Sequence, residues 1–134
     1  MDAWIANEAL KVLGRQTPTS VPRLSSTCSV GSTHVIGTVK CVIERADQLE
    51  SKMRAVAQEC GFKIVGSSFV QFEPFGATGV LVLAESHFSF HTFPEDGVAK
   101  TDVYCCAKGF DAAACVSSIE RVFGAGDDWI FLSR

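Results

Sequence analysis

The sequence predicts an α+β domain, a two-layer sandwich in which two helices cover one face of a mainly antiparallel sheet. Three observations carry that expectation. Two segments place apolar residues at helical spacing, each opened by an acid and closed by a glycine. Runs rich in β-branched residues fill the intervals. The resulting order, β-α-β-β-β-α-β, leaves the helices to bury one face of the sheet. The 134 residues suit a single core, and 47% apolar content with a mean hydropathy of +0.21 is too apolar for a disordered chain.

Residues 1–33 read as a flexible N-terminal extension, and residues 34–134 as the folded domain. Residues 4–13 have the composition of a short helical turn. Gln16–Thr33 is rich in Ser, Thr and Pro with little periodicity, as in a linker. Arg15 and Arg23 among hydroxyl residues suit a transit peptide, but Asp2 and Glu8 oppose one, and no secretory core is visible in Met1–Leu13. HVIGTVKCVI (34–43) alternates as a strand. Asp47 is placed to cap a helix, with Glu50 completing a capping box. Leu49, Met53, Val56 and Cys60 form its buried stripe, and Gly61 ends it.

Lys63–Phe72 reads as a second strand, broken by Pro74 and Gly76. GVLVLA (79–84) is a third, apolar enough to be covered on both faces, and Phe88–Thr92 continues it until Pro94. Val98–Cys106 is another strand. Asp111 is placed to cap a second helix with the stripe Cys115, Ile119, Val122 and Phe123, ended by Gly124. Trp129–Leu132 is a short last strand.

Net charge is −3 and the isoelectric point about 5.5, with no run of five basic residues, so nucleic acid is not an expected partner. No apolar run reaches the ~18 residues that cross a membrane. The six cysteines (Cys28, Cys41, Cys60, Cys105, Cys106 and Cys115) show no metal-binding spacing, so no metal is expected. They read as reduced thiols in the cytoplasm, a reducing compartment.

The chemistry concentrates in ESHFSFHTFPE (85–95), with two histidines, two serines and acids among phenylalanines. On a regular strand His87, Ser89 and His91 share one face, and Ser86, Phe88 and Phe90 the other. Taken singly, such polar residues fit the solvated face of an edge strand and Cys106 fits a buried packing position. The combination of an acid–serine–histidine step, a second histidine and a later cysteine points instead to proton-transfer chemistry.

The stretch GATGVLVLAESHFSFHTFPEDGVAKTDVYCC (76–106) resembles the prokaryotic-type S-adenosylmethionine decarboxylases. Their pattern, G-x-[ST]-G-V-x-x-[IL]-x-ESH-x-x-x-HT-[WF]-PE-x-G-x-A-x-x-D-V-[FY]-x-C, runs without a gap from Gly76 to Cys106. A looser likeness in element order extends from His34 to Gly124. The resemblance implies self-cleavage between Glu85 and Ser86, which converts Ser86 into a pyruvoyl cofactor and needs no metal. It implies that Thr78 supports processing, that His91 takes the serine α-proton and that Cys106 donates a proton to the product. Phe72 and Phe93 are implied to lie against the adenine, and Glu95 to hydrogen-bond the ribose. The pyruvoyl ketone would form a Schiff base with the substrate amine, yielding the aminopropyl donor for spermidine synthesis. A homodimer of processed protomers is implied.

The chain departs from the pattern in three ways. Its N-terminal extension is long. Leu13–Gly14–Arg15, which resembles the family's opening, lies upstream of the strand at His34. Asp96 replaces an aromatic or small residue. Ornithine or arginine decarboxylation by the same chemistry, and an unprocessed non-catalytic homologue that binds an active enzyme, are the alternative readings.

Overall fold

The computed structural model describes residues 30–134. The helical turn expected over residues 4–13, the linker up to residue 29 and Cys28 lie outside the described residues. The elements are β1 (Thr33–Lys40), α1 (Ala46–Glu59), β2 (Ile64–Gln71), β3 (Ala77–Leu83), β4 (Ser86–Phe93), a single 3₁₀ turn (Pro94–Asp96), β5 (Val98–Cys105), α2 (Ala112–Phe123) and β6 (Gly126–Ser133). The strands form one sheet in the order β2-β3-β4-β5-β1-β6, and every pairing is antiparallel. The two-layer class is therefore as expected.

The strand count is not. Residues 79–92 do not continue as one extended run. The chain reverses at Ala84–Glu85, and β3 and β4 pair from Thr78↔His91 to Leu83↔Ser86. The order is β-α-β-β-β-β-α-β. A two-residue turn usually advertises itself with Gly, Asn or Asp, and Ala-Glu does not.

Alternation along each strand sends one set of side chains toward the helices. Val35 and Val39 of β1, Ala77, Leu81 and Leu83 of β3, Phe88 and Phe90 of β4, and Ala99 and Val103 of β5 are buried there. They meet Leu49, Met53, Val56 and Ala57 of α1 and Cys115, Ile119 and Phe123 of α2. Phe90 stacks on Phe123 with centroids 4.0 Å apart. Burying a phenylalanine side chain contributes about 2–3 kcal/mol. Two glycines set the fit: a Cβ at Gly37 would overlap the Trp129 ring, and one at Gly79 would overlap Phe69.

The other sheet face carries no element among the described residues. It presents Val82, 47% exposed, so the expectation that the third strand is covered on both faces is corrected. Around Val82, β3 alternates between buried and exposed positions, as a strand with one wet face does.

Cap expectations divided. Asp111 accepts from the Ala114 N–H at 2.9 Å, as expected. The N-cap of α1 is Arg45, whose side chain makes no cap bond, and Asp47 lies within the first turn. Glu50 pairs with Arg54 one turn on. Gln71, from the end of β2, supplies the missing acceptor: its Oε1 takes the Ala46 N–H at 2.7 Å. Gly61 (φ 69°) ends α1 in the left-handed region as expected.

Cys41, Cys60, Cys105, Cys106 and Cys115 are all free thiols. No helix among the described residues is long and apolar enough to cross a membrane.

Candidate active site

The β3–β4 turn carries the first group. Glu85 holds φ at 61°, and only Asp128 shares that distinction among non-glycine residues in the described part. A side chain there costs of order 1 kcal/mol or more. Pairing on both sides enforces it: Leu83↔Ser86 closes the hairpin, and the Ala84 N–H bonds the Lys63 carbonyl at 3.0 Å. Ser86 follows, half-buried, and its Oγ accepts from the Cys106 N–H at 3.2 Å. Cys105, the last residue of β5, is buried, and Cys106, the next residue, is half-exposed. Glu85 and Cys106 both line a cleft of about 680 Å³ with Thr33, Lys108 and Phe110.

The second group lies further along β4. Thr78 Oγ1 and His91 Nδ1 are 3.0 Å apart across the β3–β4 pair. His91 is exposed, and Phe93, two positions on, is 39% exposed. Phe72 is 48% exposed just beyond β2, so neither phenylalanine is core. Glu95 is exposed in the 3₁₀ turn. A Cβ at Gly76 (φ 102°) would lie 3.7 Å from Pro94 and from the Thr92 carbonyl, so the 72–76 turn sits beside the 93–97 turn.

These two groups do not meet within the chain. Ser86 and His91 are five positions apart on one straight strand, which separates their Cα atoms by about 16 Å. The structure thus joins Ser86 to Cys106 and joins Thr78 to His91, but keeps the pairs apart.

A third group went unread in the sequence. Asp102 of β5 accepts from His34 Nε2 at 2.7 Å, from His87 Nε2 at 3.1 Å and from the Ser89 hydroxyl. Tyr104 lies between the imidazoles, stacked on His87 (5.8 Å, 17°) and edge-on to His34 (5.5 Å, 84°). Burial pushes the Asp102 carboxyl up, but the hydrogen bonds from Ser89, His34 and His87 outweigh it and hold the carboxyl below its usual range. The available signal was register. On paired strands His34, His87, Ser89, Asp102 and Tyr104 all fall on the open face, but the pairing of β1 with β5 is not written in local sequence.

Fold and site together define an α+β protein with a serine placed directly after a strained turn and beside a cysteine. The profile of the family described as S-adenosylmethionine decarboxylase matches residues 33–129, and the chain belongs to that family. It is 47% identical over 76 residues to the S-adenosylmethionine decarboxylase proenzyme of Symbiobacterium thermophilum, covering 57% of this chain and 58% of that one. It is 38% identical over 84 residues to the proenzyme of that name from Fervidobacterium nodosum, covering 63% of this chain and 61% of that one. The chain thus spans about six-tenths of the length of these relatives. The crystal structure of the Aquifex aeolicus adenosylmethionine decarboxylase superposes with a TM-score of 0.67 at 26% identity, over 80% of this chain and 91% of that one.

Proposed function

We propose that this chain is the proenzyme of a pyruvoyl-dependent decarboxylase acting on S-adenosylmethionine. The observation that carries the reading is Glu85 at positive φ directly before a serine whose hydroxyl is held by the Cys106 N–H. A strained bond preceding a fixed hydroxyl suits an intramolecular attack. Ser86 Oγ adds to the Glu85 carbonyl, and the Ser86 nitrogen leaves, so an ester replaces the amide. Loss of the Ser86 α-proton then breaks the Cβ–O bond and frees the Glu85 carboxylate. Hydrolysis of the remaining dehydroalanine releases ammonia and leaves a pyruvoyl group.

The residues present fit that group. Ser86 begins a strand that is anchored on both sides, and Cys106, a half-buried residue, lies beside it. When formed, the pyruvoyl carbonyl would condense with the substrate amine and accept the electrons released as carbon dioxide leaves. The Cys106 thiol would return a proton, a role within reach of an ordinary thiol with pKa of about 8–9. His91, oriented by Thr78, would take the Ser86 α-proton during processing.

The separation of about 16 Å between Ser86 and His91 along β4 favours a homodimer. A second copy laid on the open sheet face would bring its own Thr78 and His91 toward the β3–β4 turn, the end of the sheet at which this chain's Ser86 and Cys106 lie. Phe72 and Phe93 would contribute ring faces for a purine and a sulfonium cation, and Glu95 an acceptor for ribose hydroxyls. Exposed aromatic rings suit a purine and a sulfonium better than the flexible side chains of ornithine, an amine, or arginine, a guanidinium. The compartment proposed for this chain is the cytoplasm, where thiols are kept reduced.

Mass analysis of freshly purified protein tests the processing step. Wild type should yield two fragments divided at Glu85–Ser86, whereas Ser86→Ala stays whole and releases no carbon dioxide. Labelled S-adenosylmethionine, ornithine and arginine, offered separately, distinguish the substrates. A chain that remains intact on prolonged incubation would overturn the proposal.

A further inference from the structure

We infer that Asp102 is a positioning residue for cleavage at Glu85–Ser86, acting through His87 and Ser89; this rests on the proposed self-cleavage. His87 is the residue immediately after Ser86, so whatever fixes its side chain fixes the backbone on the far side of the breaking bond. Asp102 receives both imidazoles at Nε2, at 2.7 and 3.1 Å, and the Ser89 hydroxyl on its other oxygen. Hydrogen bonds to a carboxylate are stronger than neutral ones. Three of them converge on a single side chain from β1 and β4.

The geometry explains why that convergence matters at Ser86. The Cys106 N–H that holds the Ser86 hydroxyl is four residues after Asp102, at the end of β5. β5 and the residue directly after it therefore supply both the anchor for His87 and the donor for Ser86. Register reinforces the arrangement, because Tyr104 lies opposite both His87 and His34, and its ring packs against the two imidazoles. Loosening Asp102 frees the start of β4 to slide or twist relative to β5. The distance from Ser86 Oγ to the Glu85 carbonyl then varies, and the attack loses its orientation.

The test uses the full chain and follows first-order cleavage by mass, with thermal unfolding recorded for each variant. Asp102→Asn and His87→Leu should each slow cleavage at least about tenfold while still melting cooperatively. His87→Gln places an amide N–H close to the position of Nε2 and should restore cleavage to within about threefold of wild type. A merely structural role would not produce that rescue. Ser89→Ala, a milder change, should slow cleavage by a smaller factor and guards against misfolding of the other variants. Wild-type cleavage rates in folded Asp102→Asn and Ser89→Ala would overturn the inference, as would a His87→Gln variant as slow as His87→Leu. Failure of wild type itself to cleave removes the proposed function and this inference together, whereas normal cleavage in the variants removes only the latter.

Discussion

Glu85 occupies a backbone conformation that favours glycine, and that makes its strain measurable. In an uncleavable Ser86→Ala background, Glu85→Gly should raise stability to urea by up to about 1 kcal/mol. In the cleavable chain it should slow processing, because the strain and the ordered turn are both relieved. Cys106 separates two roles in the same way. The donor to Ser86 is its backbone N–H, which alanine retains. Cys106→Ala should therefore cleave near the wild-type rate yet lose turnover by about tenfold or more, read by carbon dioxide release. Asp102 also leaves a mark on stability. Its carboxyl titrates lower in the fold than in the unfolded chain, so the unfolded chain takes up the proton first as pH falls. The stabilisation is complete above the ordinary value of about 3.9 and is lost as pH drops below it. Thermal melts in the Ser86→Ala background should show Asp102→Asn flattening the loss of stability below about pH 4. These residue-level features differ in how openly the sequence stated them. Ser86, His91 and Cys106 stood out by type, but the Glu85 strain and the Asp102 network depend on pairings with other strands.

Elements were legible where their signals are local. The alternation in ESHFSFHTF placed His87, Ser89 and His91 opposite Ser86, Phe88 and Phe90; Phe88 and Phe90 are buried as that requires, while Ser86 at the strand's start is half-buried. Three of the four stripe residues expected in each helix are buried, whereas Cys60, which caps α1, and Val122 are only partly so, and Ala57 and Ser118 take the remaining buried positions. The Ala84–Glu85 reversal was not legible, because the chain enforces that turn through β2–β3–β4 pairing rather than through turn residues. The start of α1 failed for a related reason. Asp47 had the right chemistry at nearly the right place, but the cap comes from Gln71, 25 residues away. That amide also donates to the carbonyls of Glu44, Phe72 and Gly76, tying the helix start to the turn bearing Phe72. Gln71→Ala should therefore cost about 1–2 kcal/mol, the usual loss for a helix cap, whereas Asp47→Ala should cost less. Urea unfolding of the two variants in the uncleavable background checks the order.

At the scale of the molecule, the sheet is finished on one side only. Helices bury the face bearing Phe88 and Phe90, while the opposite face presents Thr78 with His91, and Cys106 lies with Glu85 in the cleft at the other end of β4. Five residues of extended strand, about 16 Å, part Ser86 from His91, which no side-chain rotation spans. A two-fold axis through the open face resolves the mismatch, because it inverts the strand direction and lays the His91 end of one copy over the Ser86 end of the other. Complementation between two defective chains distinguishes this arrangement from a site within one chain. His91→Ala retains Ser86 and Cys106 but should remain uncleaved alone. Ser86→Ala retains Thr78 and His91 and has nothing to cleave. Co-expressed in equal amounts, they assemble statistically, and about half of the His91→Ala chains meet a Ser86→Ala partner. Each such heterodimer has one complete site, so up to about half of the His91→Ala chains should split, visible as new fragments by mass. Purified chains mixed after assembly should give less, in proportion to subunit exchange. A His91→Ala chain that stays whole in every co-expressed mixture, with heterodimers demonstrated by tagged pull-down, would sink the shared site. So would one that cleaves normally by itself.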